Sequence, residues 1–119
     1  MLNYKPKWIW LGFASLALSS NVASALSPGS LSGTWNNDAT GENITFSGDG
    51  DVQDSRLGQG RASSTITYAA NLVIAYQQNR YCWYYVTLTN HGTRMNLAVR
   101  NKNQSETTCL KGVFNKQSR

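Results

Sequence analysis

Residues 81–89 read YCWYYVTLT, and this stretch decides the fold class of the chain. β-Branched and aromatic side chains dominate it, as is typical of strands on a half-buried pleated surface. Alternate side chains of a strand point to opposite faces. Cys82 and Tyr84 would therefore share one face, and Trp83 and Tyr85 would share the other. Because both faces carry large aromatics, one face lines the core, and the other either packs beneath neighbouring segments or forms a contact surface.

Short alternating runs, separated by clusters of Gly, Asn, Asp and Ser, extend from this strand in both directions. They predict strands at residues 33–35, 42–47, 51–57, 94–100 and 107–114, and turns at residues 48–50, 58–60 and 90–92. Residues 66–76 predict two strands with a kink at 69–71, with a short helix over 68–77 as the alternative. The pattern indicates an all-β domain, a small antiparallel meander of about seven or eight strands that closes into a barrel.

The beginning of the chain is typical of a cleavable secretory signal peptide, residues 1–25. A short basic segment precedes the apolar residues 8–17, and Ala-Ser-Ala at residues 23–25 supplies the small side chains that signal peptidase accepts. The apolar stretch is shorter than the roughly 20 residues of a membrane span. We therefore predict an exported protein, periplasmic or extracellular, with residues 26–119 as a single β-barrel domain and no membrane anchor after cleavage.

The two cysteines, Cys82 and Cys109, both lie in the predicted mature domain. In an oxidising compartment an isolated pair is expected to form a disulfide. The alternatives are a reactive thiol or a metal pair, but a metal site needs more ligands, and His91 is the only histidine. We expect a disulfide, no metal and no cofactor.

Charge is unevenly distributed along the predicted domain. Residues 26–55 hold five acids and no base, whereas residues 56–119 hold nine bases and one acid. Such asymmetry can mark a surface for an anionic partner, such as lipopolysaccharide, nucleic acid or an acidic protein. The bases are scattered singly, however. We therefore expect strands from the two halves to interleave and mix the signs, and we do not expect nucleic acid as a partner.

The inventory of reactive side chains argues against an enzyme. His91 falls in a predicted turn, and without a second histidine or a free thiol any catalytic triad would rest on it alone. Asp49, Asp51 and Asp54 are spaced closely enough to suggest calcium, but they lack the EF-hand pattern, and a solvated turn is the simpler interpretation. A hydrolase that uses paired carboxylates is the alternative that spacing leaves open.

The stretch Leu31-Ser32-Gly33-Thr34-Trp35 resembles the first strand of the calycins, the lipocalin and avidin group of small antiparallel barrels. The similarity to avidins continues through Asn37-Asp38 and the NITF sequence of residues 43–46. This resemblance implies a calycin-like barrel whose pocket receives a polar contact from Asn37, with the hydroxyl of Thr40 close by in the following loop.

A weaker resemblance connects the same Leu-Ser-Gly-x-Trp sequence to the periplasmic inhibitors of bacterial metalloproteases. These are also small calycin-like barrels, and they carry a flexible lead segment that inserts into the protease cleft. The resemblance implies this role for residues 26–30.

Two functions remain open at this point. The first is binding of a small or moderately sized ligand through Trp35, Asn37, Trp83 and Tyr85, since aromatic-lined concave sites are what such barrels offer. The second is an inhibitor or interaction protein that recognises a protein partner through its surface or its lead segment. A small-molecule binder should have an open barrel that reaches Trp35 and Trp83, whereas an inhibitor of this size should have a filled one.

Overall fold

The computed structural model describes residues 26–100 and 108–117, where eight antiparallel strands form a closed barrel. The strands are β1 Gly33–Asn36, β2 Asn43–Phe46, β3 Asp51–Asp54, β4 Gly58–Ser64, β5 Leu72–Tyr76, β6 Arg80–Thr89, β7 Arg94–Val99 and β8 Gly112–Lys116. Each strand pairs with its neighbours in chain order, and β8 pairs with β1 to close the ring. The predicted all-β meander barrel is confirmed. The predicted signal peptide and the polar loop at 101–106 lie outside the described residues.

The interior of the barrel is filled by side chains. Inward positions alternate with outward ones along each strand, as the sequence pattern predicts for residues 81–89. The most completely enclosed interior residues are at most 1% exposed: Trp35, Ile44, Phe46, Leu72, Ile74, Cys82, Tyr84, Met95, Leu97 and Phe114. The barrel is therefore a packed core.

A 3-10 turn, Pro28–Leu31, packs at the end of the barrel where β1 begins. Leu31 is fully buried, and its carbonyl accepts a 2.8 Å hydrogen bond from the indole nitrogen of Trp35. The backbone N–H of Leu26 donates to the carbonyl of Asn71. The expectation of a flexible lead is wrong, because these contacts fix the segment against the barrel. Within the described residues, no helix is long and apolar enough to cross a membrane.

The predicted disulfide between Cys82 and Cys109 is confirmed, with the two Cα atoms 5.9 Å apart. It holds the segment before β8 against the barrel end at which β8 begins. Leu110 is fully buried there, and its carbonyl accepts a 2.8 Å hydrogen bond from the phenol of Tyr84. The last strand therefore begins at Gly112 rather than at residue 107, because this segment serves to close the barrel.

The turn predicted at residues 58–60 is wrong, because these residues begin β4. A Cβ atom at Gly60 would lie 2.8 Å from the ring of Tyr76 and 2.9 Å from the carbonyl oxygen of Ala75. Only glycine fits at this strand position. Gly60, which the sequence pattern assigns to a turn, is therefore required by packing inside the strand. At the neighbouring turn after Ser47, in contrast, Gly50 has a φ of 103°, as turn chemistry predicts.

The connection between β4 and β5 replaces the predicted kink, and the alternative helix does not form. It contains only a 3-10 turn, Thr67–Ala69. The buried Asn71 ends it by bonding to β6: its Nδ2 donates to the carbonyl of Val86, and its Oδ1 accepts from the backbone N–H of Val86. The Asn71 side-chain amide therefore makes the same pair of hydrogen bonds to Val86 that the backbone of a neighbouring strand would make, and it anchors the connection to β6.

Candidate functional site

The outer side of β6 carries three aromatic side chains at alternate positions, Tyr81, Trp83 and Tyr85. Trp83 and Tyr85 are half-buried, and Tyr81 is 39% exposed. Their cross-strand partners are small or medium-sized: Trp83 lies opposite Val73, Tyr81 opposite Ala75 and Tyr85 opposite Ala98. The second face of β6 therefore carries a row of aromatic side chains on the outside of the barrel.

Tyr68 extends this surface from the β4–β5 connection. Its ring meets that of Trp83 edge-on, with 5.0 Å between the centroids, and the side chain stays 45% exposed. We call Tyr68, Tyr81, Trp83 and Tyr85 the outer aromatic surface. Edge-to-face pairs contribute about 0.5–1.5 kcal/mol beyond their buried area, so Tyr68 and Trp83 orient each other.

The backbone at Tyr68 is strained. Tyr68 and Ala69 have φ values of 59° and 58°, in the left-handed region that side chains with a Cβ rarely adopt. Such residues cost on the order of 1–3 kcal/mol each, and they concentrate at functional sites. The connection holds this conformation through Asn71, whose side chain and backbone N–H both bond to β6. Tyr68 and Trp83 therefore belong to one preorganised unit.

Trp35 lies on the other side of the barrel wall. It is fully enclosed, its indole N–H is bonded to Leu31, and the ammonium of Lys116 lies 5.6 Å from its ring centroid. Trp83 and Tyr85 face outward from β6. The structure therefore does not bring the predicted binding residues together in one pocket, because the filled interior separates Trp35 from the outer pair.

Asn37 is also occupied locally. Its Oδ1 accepts hydrogen bonds from the backbone N–H groups of Ala39 and Thr40, at 2.9 and 3.3 Å, which closes the turn after β1. The hydroxyl of Thr40 donates to the carboxylate of Glu42. Both polar groups that the avidin resemblance assigns to a pocket therefore stabilise the β1–β2 turn.

Asn37 also lines a shallow depression of about 420 Å³ at the seam between β1 and β8. The polar side chains there are already bonded to one another: Asn115 donates to one carboxylate oxygen of Asp38, and Asn36 donates to the other. A second depression, of about 280 Å³, lies on β2–β4 and is lined by Thr45, Ser47, Asp51, Val52, Gln53, Gln59 and Gly60. Neither depression reaches the outer aromatic surface.

A buried polar pair lies near the barrel end at which β8 begins. The Asp54 carboxylate accepts a 2.6 Å bond from the phenol of Tyr76, and its other oxygen accepts from the backbone N–H groups of Arg56 and Leu57. Burial, with a smaller contribution from Tyr84, raises the pKa of Tyr76 well above its usual value. Burial also raises the pKa of Tyr84, with the Asp54 charge contributing less. With both carboxylate oxygens satisfied, the pair stabilises the fold.

The three closely spaced aspartates, Asp49, Asp51 and Asp54, lie in different surroundings. Asp49 accepts a hydrogen bond from Ser47, which lowers its pKa, while Asp51 pairs with Arg61 and Asp54 is buried. In the ranges 26–100 and 108–117, no three metal-binding side chains lie together. His91 lies in the turn after β6, where it has a φ of 57°.

The expected mixing of signs occurs where the two halves of the sequence adjoin, since Arg56 and Arg61 pair with acids of the first half and Asp38 lies against Asn115 of β8. Strands that follow chain order do not interleave the two halves of the sequence. Both ion pairs among the described residues, Arg56–Glu42 and Arg61–Asp51, join the acidic β2–β3 side to β4 and the turn before it. Within the described part of the chain, the exposed bases beyond β4 are Arg80, Arg94, Arg100, Lys111 and Lys116.

No family model, curated protein or solved structure matches the chain. The site is therefore defined by its geometry alone. The predicted binding residues omit Tyr68 and Tyr81 of this surface, and they omit Arg100 at its edge. The guanidinium of Arg100 lies 5.9 Å from the ring centroid of Tyr85. Nothing in the sequence around Tyr68 signals a positive φ, whereas the position of Arg100 at the end of β7 could have been derived by pairing residues 94–100 with β6.

Proposed function

We propose that this protein is an exported interaction protein that binds a protein partner through the outer aromatic surface. The observation that carries the proposal is the position of Trp83 and Tyr85 on the outside of a barrel whose interior is filled. A ligand in the interior would have to displace side chains that are at most 1% exposed, such as Trp35 and Tyr84. Binding through the aromatics is therefore assigned to the outer side of the wall.

The composition of the surface favours a protein over a small molecule. Tyr, Trp and Arg are the residues that most often dominate the binding energy of protein interfaces, and Tyr81, Trp83, Tyr85 and Arg100 supply all three types. Small-molecule sites, by contrast, are concave, whereas these side chains project from the convex wall of a barrel. The anchored Tyr68 lowers the conformational entropy lost on binding.

Export is supported by the predicted signal peptide together with the buried disulfide, since disulfides persist in oxidising compartments. The lead segment is a less suitable binding element than the barrel wall. Leu26 bonds to Asn71 and Leu31 is fully buried, so insertion of this segment into a protease cleft would first have to detach it.

Site-specific photo-crosslinking in the organism that makes the protein tests the proposal. A photoreactive phenylalanine at Tyr81 should give one discrete protein adduct, because this side chain is exposed within the outer aromatic surface. The same probe at Gln53, exposed on β3 across the barrel, is the matched control and should not give that adduct.

Trp83→Ala should abolish the Tyr81 adduct, while Val113→Ala, an exposed apolar position on β8, should retain it. Thermal unfolding of both variants checks that the barrel is intact. An identical adduct from Gln53, or an adduct from Tyr81 that survives Trp83→Ala in a folded protein, would contradict the proposed function.

A further inference from the structure

We infer that the partner presents a carboxylate-rich segment to the outer aromatic surface, where Arg100 contacts it. This inference rests on the proposed function and names the chemistry of the partner. It starts from Arg100, which is exposed and whose guanidinium lies 5.9 Å from the centroid of the Tyr85 ring. Stacked in this way, the guanidinium is positioned beside the aromatic rings and can still donate hydrogen bonds to a carboxylate.

Strands β4 to β8 themselves carry no carboxylate among the described residues, and Asp38, which reaches β8 from the β1–β2 turn, is bonded to Asn36 and Asn115. From Gly58 onward, the described residues contain no Asp or Glu. Both ion pairs found in the ranges 26–100 and 108–117 use Arg56 and Arg61, close to the acidic strands. Arg100 lies beside the aromatic rings, and the other exposed bases on and around β6–β8 give this side of the barrel an excess of positive charge.

The ring order places the acidic β2–β3 side across the barrel from the outer aromatic surface. In a closed barrel of eight strands in sequential order, β2–β3 lie across from β6–β7. The acidic side chains Asp49 and Asp51 therefore face away from the surface that carries Trp83 and Arg100. Such a charge distribution turns the aromatic side toward an anionic partner and raises the rate of productive encounter.

The register also places Arg100 next to the centre of the surface. Its backbone N–H donates to the carbonyl of Trp83, so Arg100 continues the β6–β7 pairing one residue beyond the end of β7. A carboxylate bound by Arg100 would thus lie beside Trp83 and Tyr85. This arrangement fits an acidic polypeptide that also carries aromatic or apolar side chains, since one chain could satisfy the guanidinium and cover the rings together.

A fluorescein-labelled random copolymer of glutamate and tyrosine is the direct probe, with binding followed by fluorescence anisotropy at low and physiological salt. The wild-type protein should bind it, and salt should weaken binding because it screens exposed charges. Arg100→Gln should weaken binding by at least about fivefold, a loss that only a minority of interface residues reach on truncation. Arg94→Gln is the matched control, since it removes the same charge on β7 beside Asn115, and it should weaken binding less than about twofold.

Two results would overturn the inference. Equal weakening by Arg100→Gln and Arg94→Gln would show that only net charge is sensed. Tighter, Arg100-dependent binding of heparin or of a uridine oligonucleotide than of the copolymer would assign the surface to a polysaccharide or to RNA. If the copolymer fails to bind while the Tyr81 adduct still depends on Trp83, the acidic partner is refuted and the proposed function stands. If neither binding nor crosslinking depends on Trp83, the proposed function itself fails.

Discussion

Refolding the protein without its disulfide should remove a large part of its stability. The bond joins Cys82 and Cys109, which are 27 positions apart in the sequence. In the chain-entropy model, closing a loop of this length destabilises the unfolded state by about 3–4 kcal/mol. Domains of this size typically have free energies of unfolding of about 5–15 kcal/mol. Loss of the crosslink should therefore remove a large share of the free energy of unfolding.

The corresponding shift in melting temperature is large. For a domain of 60–100 residues, each kcal/mol changes the Tm by about 4–8 °C, so loss of the bond should lower the Tm by at least about 12 °C. Both sulfurs are buried, so the protein must be unfolded in urea with a phosphine reductant and then refolded. Circular dichroism then compares the oxidised and reduced forms.

The reduced protein should regain the same far-ultraviolet spectrum at low temperature, because the bond acts mainly on the unfolded chain. It should also retain binding of the glutamate–tyrosine copolymer, since the outer aromatic surface lies on the outer side of β6, whereas Cys82 points inward. A fall in Tm of less than about 5 °C would refute the entropic argument. A reduced protein that never folds would show that the segment around Leu110 depends on the crosslink for its native contacts.

Three further predictions concern the packing and the site. Because burial raises the pKa of Tyr76 and Tyr84 above 10, the unfolded state loses these two protons first. The free energy of unfolding, measured by urea titration, should therefore be constant below pH 10 and should fall above it by up to about 2.7 kcal/mol per pH unit. A free energy of unfolding that stays constant to pH 11.5 would contradict this prediction. Gly60→Ala should destabilise by about 1–3 kcal/mol through overpacking, whereas Gly48→Ala, with no atom within 4 Å of the new Cβ, should stay near wild type in the same titrations. Tyr68→Asn should keep the free energy of unfolding within about 1 kcal/mol, because asparagine adopts a positive φ more readily and this offsets removal of the ring that packs on Trp83. The same substitution should weaken the Tyr81 adduct, and an unchanged adduct would remove Tyr68 from the site.

Much of the fold was predictable because apolar and polar residues that alternate with a period of two identify strands. This holds wherever the residues have no additional role in packing or crosslinking. Residues 81–89 and 94–100 correspond closely to β6 and β7. The errors occur at residues whose type is typical of one structural role but which serve a different role in this fold. Gly60 reads as a turn former, but it is required because Tyr76 occupies the space of its side chain. Cys109 reads as part of a strand, but its disulfide holds it in the segment that closes the barrel.

The candidate site was only half predictable. Alternation separates Trp83 and Tyr85 from Tyr84, but with aromatics on both faces it does not show which face lies inside. In the structure, the hydrogen bond from Tyr84 to the carbonyl of Leu110 identifies the inner face. The contribution of Tyr68 depends on a positive φ that Asn71 stabilises from three residues away, and such a tertiary constraint leaves no local sequence signal.

The most direct test of a site on the outer wall follows the two indole N–H signals of the barrel in a nitrogen-15 correlation spectrum. Trp35 and Trp83 are the tryptophans of the predicted mature domain, and Trp83→Phe assigns them. During titration with the glutamate–tyrosine copolymer, the Trp83 signal should move while that of Trp35, bonded to Leu31 inside the barrel, stays in place. Movement of the Trp35 signal with a stationary Trp83 signal would place binding in the interior and contradict the account.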